Sequence, residues 1–287
     1  MDSPDQSKTG TCSCYFIIKS ISGMDLQLKG KTAFISGSTQ GIGFAIAQSL
    51  LKEGANVIIN GRSEGKVAEA VQKLSQLSAA AEVSGFAADF SKVDEVNALL
   101  ARLPDVDILV NNAGIFEPKA FTDISDDEWF RFFEVNVLSG VRLARYFFPK
   151  MIEKNWGRII FISSESGVNI PEEMIHYGTT KTAQLAVSRG LAELTKGTNV
   201  TVNTVMPGPT KSEGVADFVK QLGEANGMSA EQAEKDFFKN ARPTSLLQRF
   251  ASVEEIANLV TYVASPLSSG TNGSALKVDG GVAKFII

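Results

Sequence analysis

Cysteine, histidine and clustered positive charge are all scarce in this chain of 287 residues. The two cysteines, Cys12 and Cys14, lie close together near the start, so the body of the protein can carry no disulfide framework. Only one histidine, His176, is present, and Cys12-Ser13-Cys14 has no further thiol with which to complete a tetrahedral metal site. No metal centre is expected. The formal net charge is -4 and no basic run occurs, which argues against nucleic acid or an anionic membrane surface as the main partner. No apolar run approaches the length of a membrane span. The short run Tyr15-Phe16-Ile17-Ile18 cannot serve as a signal-peptide core, and the first 23 residues lack the arginines of a transit peptide. A cytoplasmic protein fits these absences.

What the chain does have is ordinary globular material, with 44% hydrophobic and 21% charged residues. Residues 1 to 23 are rich in Ser, Thr and Gly and show no helical or strand period, so they read as a disordered extension outside the fold. Residues 24 to 287 then suffice for one α/β domain with a sizeable core.

The first half of that domain reads as a nucleotide site. Lys31 to Ser36 is a buried strand, and Gly37-Ser38-Thr39-Gln40-Gly41-Ile42-Gly43 follows at once, before the helical spacing of Phe44 to Leu51. Glycines let a pyrophosphate approach the backbone, and free N–H groups at the helix start attract it. Gly37, Ser38, Thr39, Gly41, Ile42 and Gly43 are the candidate ligands. A second strand ends at Gly61-Arg62. An acid at the Gly61 position would accept from the adenosine ribose and select NAD, whereas an arginine pairs with a 2′-phosphate. Arg62 therefore points to NADP, with NAD still possible, unless it is a solvated surface side chain.

Val83 to Ala88 is a third strand, leading to Asp89 and Phe90 at the adenine side. Asp89 either accepts from the adenine amino group or caps the helix from Val93 to Leu103. A fourth strand, Val106 to Val110, runs into Asn111-Asn112-Ala113-Gly114. There Asn112, Ala113 and Gly114 suit a ligand crevice at a strand's carboxyl end, and Asn111 serves it too or ties strands together.

The second half supplies acid–base chemistry. Ser125 to Lys154 is one long aromatic helix or two abutting ones, opened by the capping-box pattern Ser125-Asp126-Asp127-Glu128. It holds more aromatics than one helix face can use, which suggests burial against the sheet and against another subunit. Asn136 lies within it in apolar company and needs partners. A fifth strand, Arg158 to Ile162, ends at Ser163-Ser164, where Ser164 can donate to a carbonyl oxygen. Tyr177 and Lys181 share one face of the next helix. An ammonium near a phenol favours the phenolate and draws the tyrosine toward a working acid or base. His176 is adjacent, but its side chain points about 100° away on a helix and is not expected in the chemistry. Glu117, Glu165 and Glu213 could face the pocket but are read as solvated.

After the strand Asn199 to Val205 comes the turn Met206-Pro207-Gly208-Pro209-Thr210. Helical spacing in Gly214 to Leu222 and Ala230 to Asn240 suggests a two-helix lid within residues 211 to 250, or a packed subdomain that never moves. A helix over Ser252 to Ser265 and a strand from Ser274 close the chain.

Gly37-x3-Gly41-x-Gly43, Asn111-Asn112-Ala113-Gly114, Asn136, Ser164 and Tyr177-x3-Lys181 stand in the order and spacing of the short-chain dehydrogenase/reductase family, and the chain resembles its 3-oxoacyl-carrier-protein-reductase-like members from about Lys29 to Gly281. Ser36, where the family usually has threonine, and Gln40, where NADP-dependent members often carry a basic residue, are departures. The resemblance implies a doubly wound, Rossmann-type three-layer sandwich with a seven-stranded parallel sheet in the order 3-2-1-4-5-6-7. It implies NADP(H)-dependent interconversion of a carbonyl and a secondary alcohol. Tyr177 would then move the proton, Lys181 lower its pKa and hold the nicotinamide ribose, Ser164 position the carbonyl and Asn136 anchor a relay water. Pro207 and Gly208 would border the nicotinamide, Thr210 would bond its carboxamide, and the family's habit implies a homotetramer or homodimer. A nucleotide-sensing binder without turnover, an NAD-dependent member acting on a sugar or steroid-like alcohol, and a member that retains its cofactor for epimerisation or elimination remain alternatives.

Overall fold

Seven short aliphatic runs become seven strands of one all-parallel sheet, in the order β3-β2-β1-β4-β5-β6-β7 that the sequence analysis anticipates. The structure is a computed structural model that describes residues 24–286, apart from residues 79, 216–218, 220–222 and 224–226. The strands are β1 (Thr32–Ile35), β2 (Asn56–Gly61), β3 (Val83–Ala87), β4 (Ile108–Asn111), β5 (Gly157–Ile162), β6 (Val200–Pro207) and β7 (Ala275–Val278). Helices α1 (Gly41–Lys52), α2 (Glu64–Ser75), α3 (Val93–Arg102), α4 (Asp126–Phe133), α5 (Ser139–Glu153), α6 (Ile175–Glu193), α7 (Ala230–Asn240) and α8 (Val253–Ala264) accompany them. The N-terminal extension, residues 1–23, lies outside the described residues.

Parallel strands covered on both faces read as continuous apolar runs, and each residue in turn enters a different core. In β1, Ala33 and Ile35 pack with Ile46 and Leu50 of α1 and Ile256 and Val260 of α8. Phe34 points the other way, into a second core with Leu99 of α3 and Leu143 and Phe147 of α5. This two-faced packing fixes the register, Ala33 lying between Val57 and Ile108. All carboxyl ends therefore reach the same edge, where the polar turns collect.

The long aromatic stretch is broken where one continuous helix was an option. α4 and α5 are joined by a π-helical turn, Glu134–Leu138, that contains Asn136. A π turn inserts an extra residue per turn and re-aims side chains. Here Asn136 faces inward and is fully buried. The Ser125–Glu128 capping box at the start of α4 forms as expected. Of the aromatics, Phe132 and Phe147 are buried, while Phe130 is 73% exposed.

Beyond β6, Val219, Ala233, Phe238 and Phe250 make a third, small core. α7 begins at a second capping box, Ser229 with Gln232. Most of the helix read from Gly214 to Leu222 falls outside the described residues.

Arg158, buried in β5, ties three segments together. Its Nη1 donates to the carbonyls of Gly157 and Asn199, each at 2.9 Å, and its Nε to Ser265 at 3.2 Å. Among the described residues no carboxylate pairs with it, and burial pulls its pKa down to about 10. Replacing it by methionine keeps an apolar stem but strands buried carbonyls. The Arg158→Met variant should lose about 3 kcal/mol in urea unfolding at unchanged m-value, since unpaired buried acceptors cost about 1–3 kcal/mol each. A loss below about 0.5 kcal/mol would mean that the carbonyls find other donors.

Candidate active site

Ser36, the last residue before the glycine-rich turn, holds that turn against β4. Its hydroxyl donates to the Val110 carbonyl at 3.4 Å and accepts from the backbone N–H groups of Asn112 and Ala113 at 2.9 and 3.0 Å. The Asn112 side chain returns the tie by donating to the carbonyls of Ser36 and Gly37, at 3.0 and 2.8 Å. So Asn112 links the strands, a role left open for Asn111, whose side chain has no hydrogen-bond partner among the described residues.

The turn itself has the left-handed backbone that glycine favours, with φ of 61° at Gly37 and 60° at Gly41. At Gly43 the constraint is closeness: a Cβ there would lie 2.5 Å from both the Asn112 amide nitrogen and the Gly37 carbonyl. Ser38 serves the fold rather than the crevice. Its hydroxyl donates to Ile35 at 2.6 Å and accepts from the Asn60 N–H at 3.0 Å. Asn60 in turn accepts from Gly37 N–H and donates to Phe86 and Ala88, so a buried amide anchors the turn to β2 and β3. The start of α1 has neither a capping side chain nor an acid in its first turn. Its N–H groups are thus free to meet a phosphate, and the residues present fit a dinucleotide.

Gly61 ends β2 directly against Thr39; a Cβ at 61 would stand 2.5 Å from the Thr39 methyl. Arg62 is exposed beside it; burial pushes the Asp89 carboxyl up, but hydrogen bonds from Ser91 and, after them, the Arg62 charge draw it below the usual carboxylate value. Asp89 accepts from the N–H and hydroxyl of Ser91, a local turn, while Lys92 occupies the N-cap of α3. Phe90 puts its ring into the second core. On the far side, Pro207 closes β6, Gly208 packs against Asp279, and the Thr210 hydroxyl donates to the Gly208 carbonyl at 2.8 Å.

The catalytic candidates converge on a cavity of about 470 Å³ lined by Ile42, Asn112, Gly114, Pro207, Gly208 and Thr210 on one side and by Ser164, Tyr177 and Lys181 on another. Asn136 does not reach the cavity. Its side chain accepts from Ile115 N–H at 2.8 Å and donates to the Ile115 carbonyl and to Thr180 Oγ1, each at 3.0 Å. Its own carbonyl accepts from Gln184 Nε2. Gln184 also accepts from Lys181 Nζ at 3.3 Å, and the Ile162 carbonyl accepts from the same ammonium at 2.9 Å. Gln184, three residues after Lys181 on the same helical face, escaped the sequence analysis although its spacing made it visible.

Lys181 Nζ lies 5.6 Å from the Tyr177 ring centroid. Burial pulls the Lys181 pKa down to about 8. Contrary to the expected lowering, the Tyr177 phenol is pushed well above its ordinary value, first by burial and then by the Glu165 carboxylate, with Ser164 and Arg242 acting the other way. An enclosed phenol loses hydration of its anion, and one ammonium that spends its protons on other acceptors does not compensate.

Glu165 is a second correction. Read as solvated, it is instead 5% exposed and walls the cavity, whereas Glu117 and Glu213 are indeed exposed. Arg242, which follows α7, lies beside it. No local pattern could pair residues 77 positions apart. His176, as expected, points away into Trp129 and Phe132, and burial lowers its pKa.

Among the described residues no group of three or more metal-ligating side chains occurs, and no helix is long and apolar enough to cross a membrane. The short chain dehydrogenase family model matches residues 31–223. The uncharacterized oxidoreductase YvaG of Bacillus subtilis is 53% identical over 92% of this chain and 100% of its own length. The 3-oxoacyl-[acyl-carrier-protein] reductase FabG of Aquifex aeolicus is 32% identical over 90% of this chain and 100% of its own. Among solved structures, L-sorbose reductase of Gluconobacter frateurii, complexed with NADPH and L-sorbose, superposes with a TM-score of 0.86 at 31% identity, covering 92% of this chain and 100% of that one. The chain is a member of the short-chain dehydrogenase/reductase family, an NAD(P)-dependent oxidoreductase acting on hydroxyl and carbonyl groups.

Folded Lys181 releases its proton near pH 8 and the unfolded chain near 10.5. Between those values the unfolded chain binds more protons, so stability rises with pH there; below pH 8 the buried charge costs the fold its full penalty. After allowing for two lost hydrogen bonds, Lys181→Met should be more stable than the wild type by about 1–2 kcal/mol at pH 7. The gain should vanish by about pH 10.5 in pH-resolved chemical denaturation; a variant less stable at pH 7 would contradict the assigned burial cost.

Proposed function

We propose that this chain interconverts a carbonyl and a secondary alcohol with NADP(H), Tyr177 serving as general acid or base. The observation that carries the reading is the convergence of Ser164, Tyr177 and Lys181 on one cavity beside the glycine-rich turn. A bound nicotinamide supplies or accepts the hydride. Tyr177 gives a proton to the carbonyl oxygen or takes one from the alcohol, and Ser164 orients that oxygen. Lys181 holds its ammonium beneath the phenol, and Asn136 fixes the turn through Ile115 and Gln184.

The cofactor is held by Gly37, Thr39, Gly41, Ile42 and Gly43 at the pyrophosphate, on a turn that Ser38 braces from behind, by Asp89 and the backbone of Phe90 at the adenine, and by Asn112, Ala113, Gly114, Pro207, Gly208 and Thr210 nearer the cavity. The preference for NADP is supported by Gly61, where Thr39 leaves no room for an acid, and by the exposed Arg62 beside it. The solved L-sorbose reductase, bound to NADPH, supports the same preference. Phe237, Arg242 and Phe250 roof the cavity from the segment 211 to 250, which we read as the lid. The apolar walls suit a medium-sized carbonyl such as a 3-oxoacyl thioester, a steroid-like ketone or a sugar derivative. We further read a cytoplasmic homotetramer or homodimer, supported by outward-facing apolar residues such as Phe130 and Leu246.

The experiment is consumption of NADPH and NADH across ketones, aldehydes, keto sugars and 3-oxoacyl thioesters. NADPH should be preferred, and Tyr177→Phe should lower kcat/KM by about a thousandfold. Cofactor binding without turnover of any of these would count for the binding-protein alternative. Arg62→Ala should raise KM for NADPH by about tenfold while leaving KM for NADH unchanged, because a charge-assisted phosphate contact is worth about 1.5–3 kcal/mol. An equal effect on both cofactors would remove Arg62 from the phosphate site.

A further inference from the structure

A serine hydroxyl carries a single proton, and the Ser164 proton has a committed destination. Ser164 Oγ donates to Glu165 Oε2 at 2.6 Å and accepts from Ser166 N–H at 3.1 Å. The other carboxylate oxygen, Oε1, accepts from Arg242 Nε at 3.3 Å. Arg242 Nη1 donates to Glu173 Oε1 at 3.3 Å and to its neighbour's carbonyl, Ala241 O, at 2.8 Å. Glu165 and Arg242 are both nearly excluded from solvent, whereas the Glu173 side chain is 43% exposed. A buried pair of this kind is costly to assemble and strongly coupled once formed. It also joins two distant parts of the chain: Glu165 sits just after β5, Arg242 just after α7.

We propose that Glu165, clamped by Arg242, is a positioning residue that accepts the one hydrogen bond Ser164 can donate and thereby leaves the serine as a hydrogen-bond acceptor toward Tyr177. The inference rests on Tyr177 being the proton-transfer group. In this state Ser164 cannot donate to a carbonyl oxygen; it can accept from the Tyr177 hydroxyl or from an alcohol. To donate in the reducing direction, the serine must turn its proton away from Glu165, and the Arg242 charge makes that easier by weakening the carboxylate as an acceptor. The docking of the α7 segment is thus read directly by the proton-transfer pair.

Charged groups face Tyr177 from four elements. Lys181 faces the phenol from its own helix, Glu165 from the turn after β5, Arg242 from the segment after α7 and Glu173 from the turn before α6. Burial and then the Glu165 charge raise the phenol's proton affinity, and the Arg242 charge lowers it; Ser164 lowers it only when it donates to the phenolate, with its proton turned away from Glu165. Glu117, Lys119 and Glu128 act on His176, which points into Trp129 and Phe132.

The test is the ionisation of Tyr177 in the full-length protein, read as phenolate absorbance near 295 nm after a stopped-flow pH jump, faster than alkaline unfolding. Subtracting the signal of Tyr177→Phe isolates this phenol from the other three tyrosines. Glu165→Gln should move the midpoint down by about one pH unit, a tenfold change in proton affinity. Arg242→Met should move it up, and Arg242→Lys, which keeps the charge, should stay close to the wild type. In a Ser164→Ala background the shift caused by Glu165→Gln should shrink measurably, leaving the part that the carboxylate charge exerts directly on the phenol. A midpoint in Glu165→Gln no lower than in the wild type overturns the proposal, as does a shift of the same sign in Glu165→Gln and Arg242→Met, the mark of a merely structural disturbance. An undiminished shift in the Ser164→Ala background overturns the role given to the serine. No carbonyl substrate is needed. A chain that shows these shifts yet turns over no ketone would count against the proposed carbonyl reduction and leave the Ser164–Glu165–Arg242 arrangement standing.

Discussion

Much of the active half hangs on one ammonium taken out of water. Lys181 is buried in α6 and donates to the Ile162 carbonyl at the end of β5 and to Gln184 one turn along its own helix. Gln184 then reaches the Asn136 carbonyl in the π-helical turn. A buried charge must satisfy its protons within the fold, and doing so here draws a strand end, a helix and the break between α4 and α5 into one network. Ser163 adds to it, its hydroxyl donating to the Lys181 carbonyl at 2.8 Å. The neighbouring Ser164 and Tyr177 take their places from that framework. The site therefore carries a cost in stability that function explains better than packing does.

The nucleotide half is built on the opposite physics, closeness without charge. Gly43 is pressed against Gly37 and Asn112, and Gly61 against Thr39, so the backbone itself forms the surface on which an anion can lie. Polar side chains in this half mostly hold that surface in shape. Ser36, Ser38, Asn60 and Asn112 all direct their hydrogen bonds to the turn and the strands around it. The crevice thus presents main-chain N–H groups and the start of α1, and Arg62 stands at its rim as a permanent charge.

Between the halves, the cavity wall is mostly apolar, and there Glu165 and Arg242 are conspicuous. In low-dielectric surroundings a carboxylate that shares a cavity with a phenol acts on it much more strongly than at a surface. The same enclosure explains why the lysine alone does not lower the tyrosine in this arrangement. A cationic group brought to the cavity by a bound cofactor would act on the same phenol, so the resting value and the working value need not coincide.

The sequence by itself determined the strand order through the family motifs, the glycine turn, the shared face of Tyr177 and Lys181 and the serine at a strand's carboxyl end. These are legible because they rest on local sterics and periodicity: a left-handed glycine, a helical spacing of four, an aliphatic run bounded by polar turns. The exclusion of His176 was legible for the same reason. Tertiary structure alone decided that Asn112 ties β1 to β4, that the long aromatic stretch breaks into a π turn at Asn136, and that Glu165 lies buried against Arg242 from another part of the chain. It alone decided that the Tyr177 phenol is driven up rather than down. Burial, local dielectric and long-range charge pairing depend on where distant segments meet, and neither residue spacing nor composition carries that information.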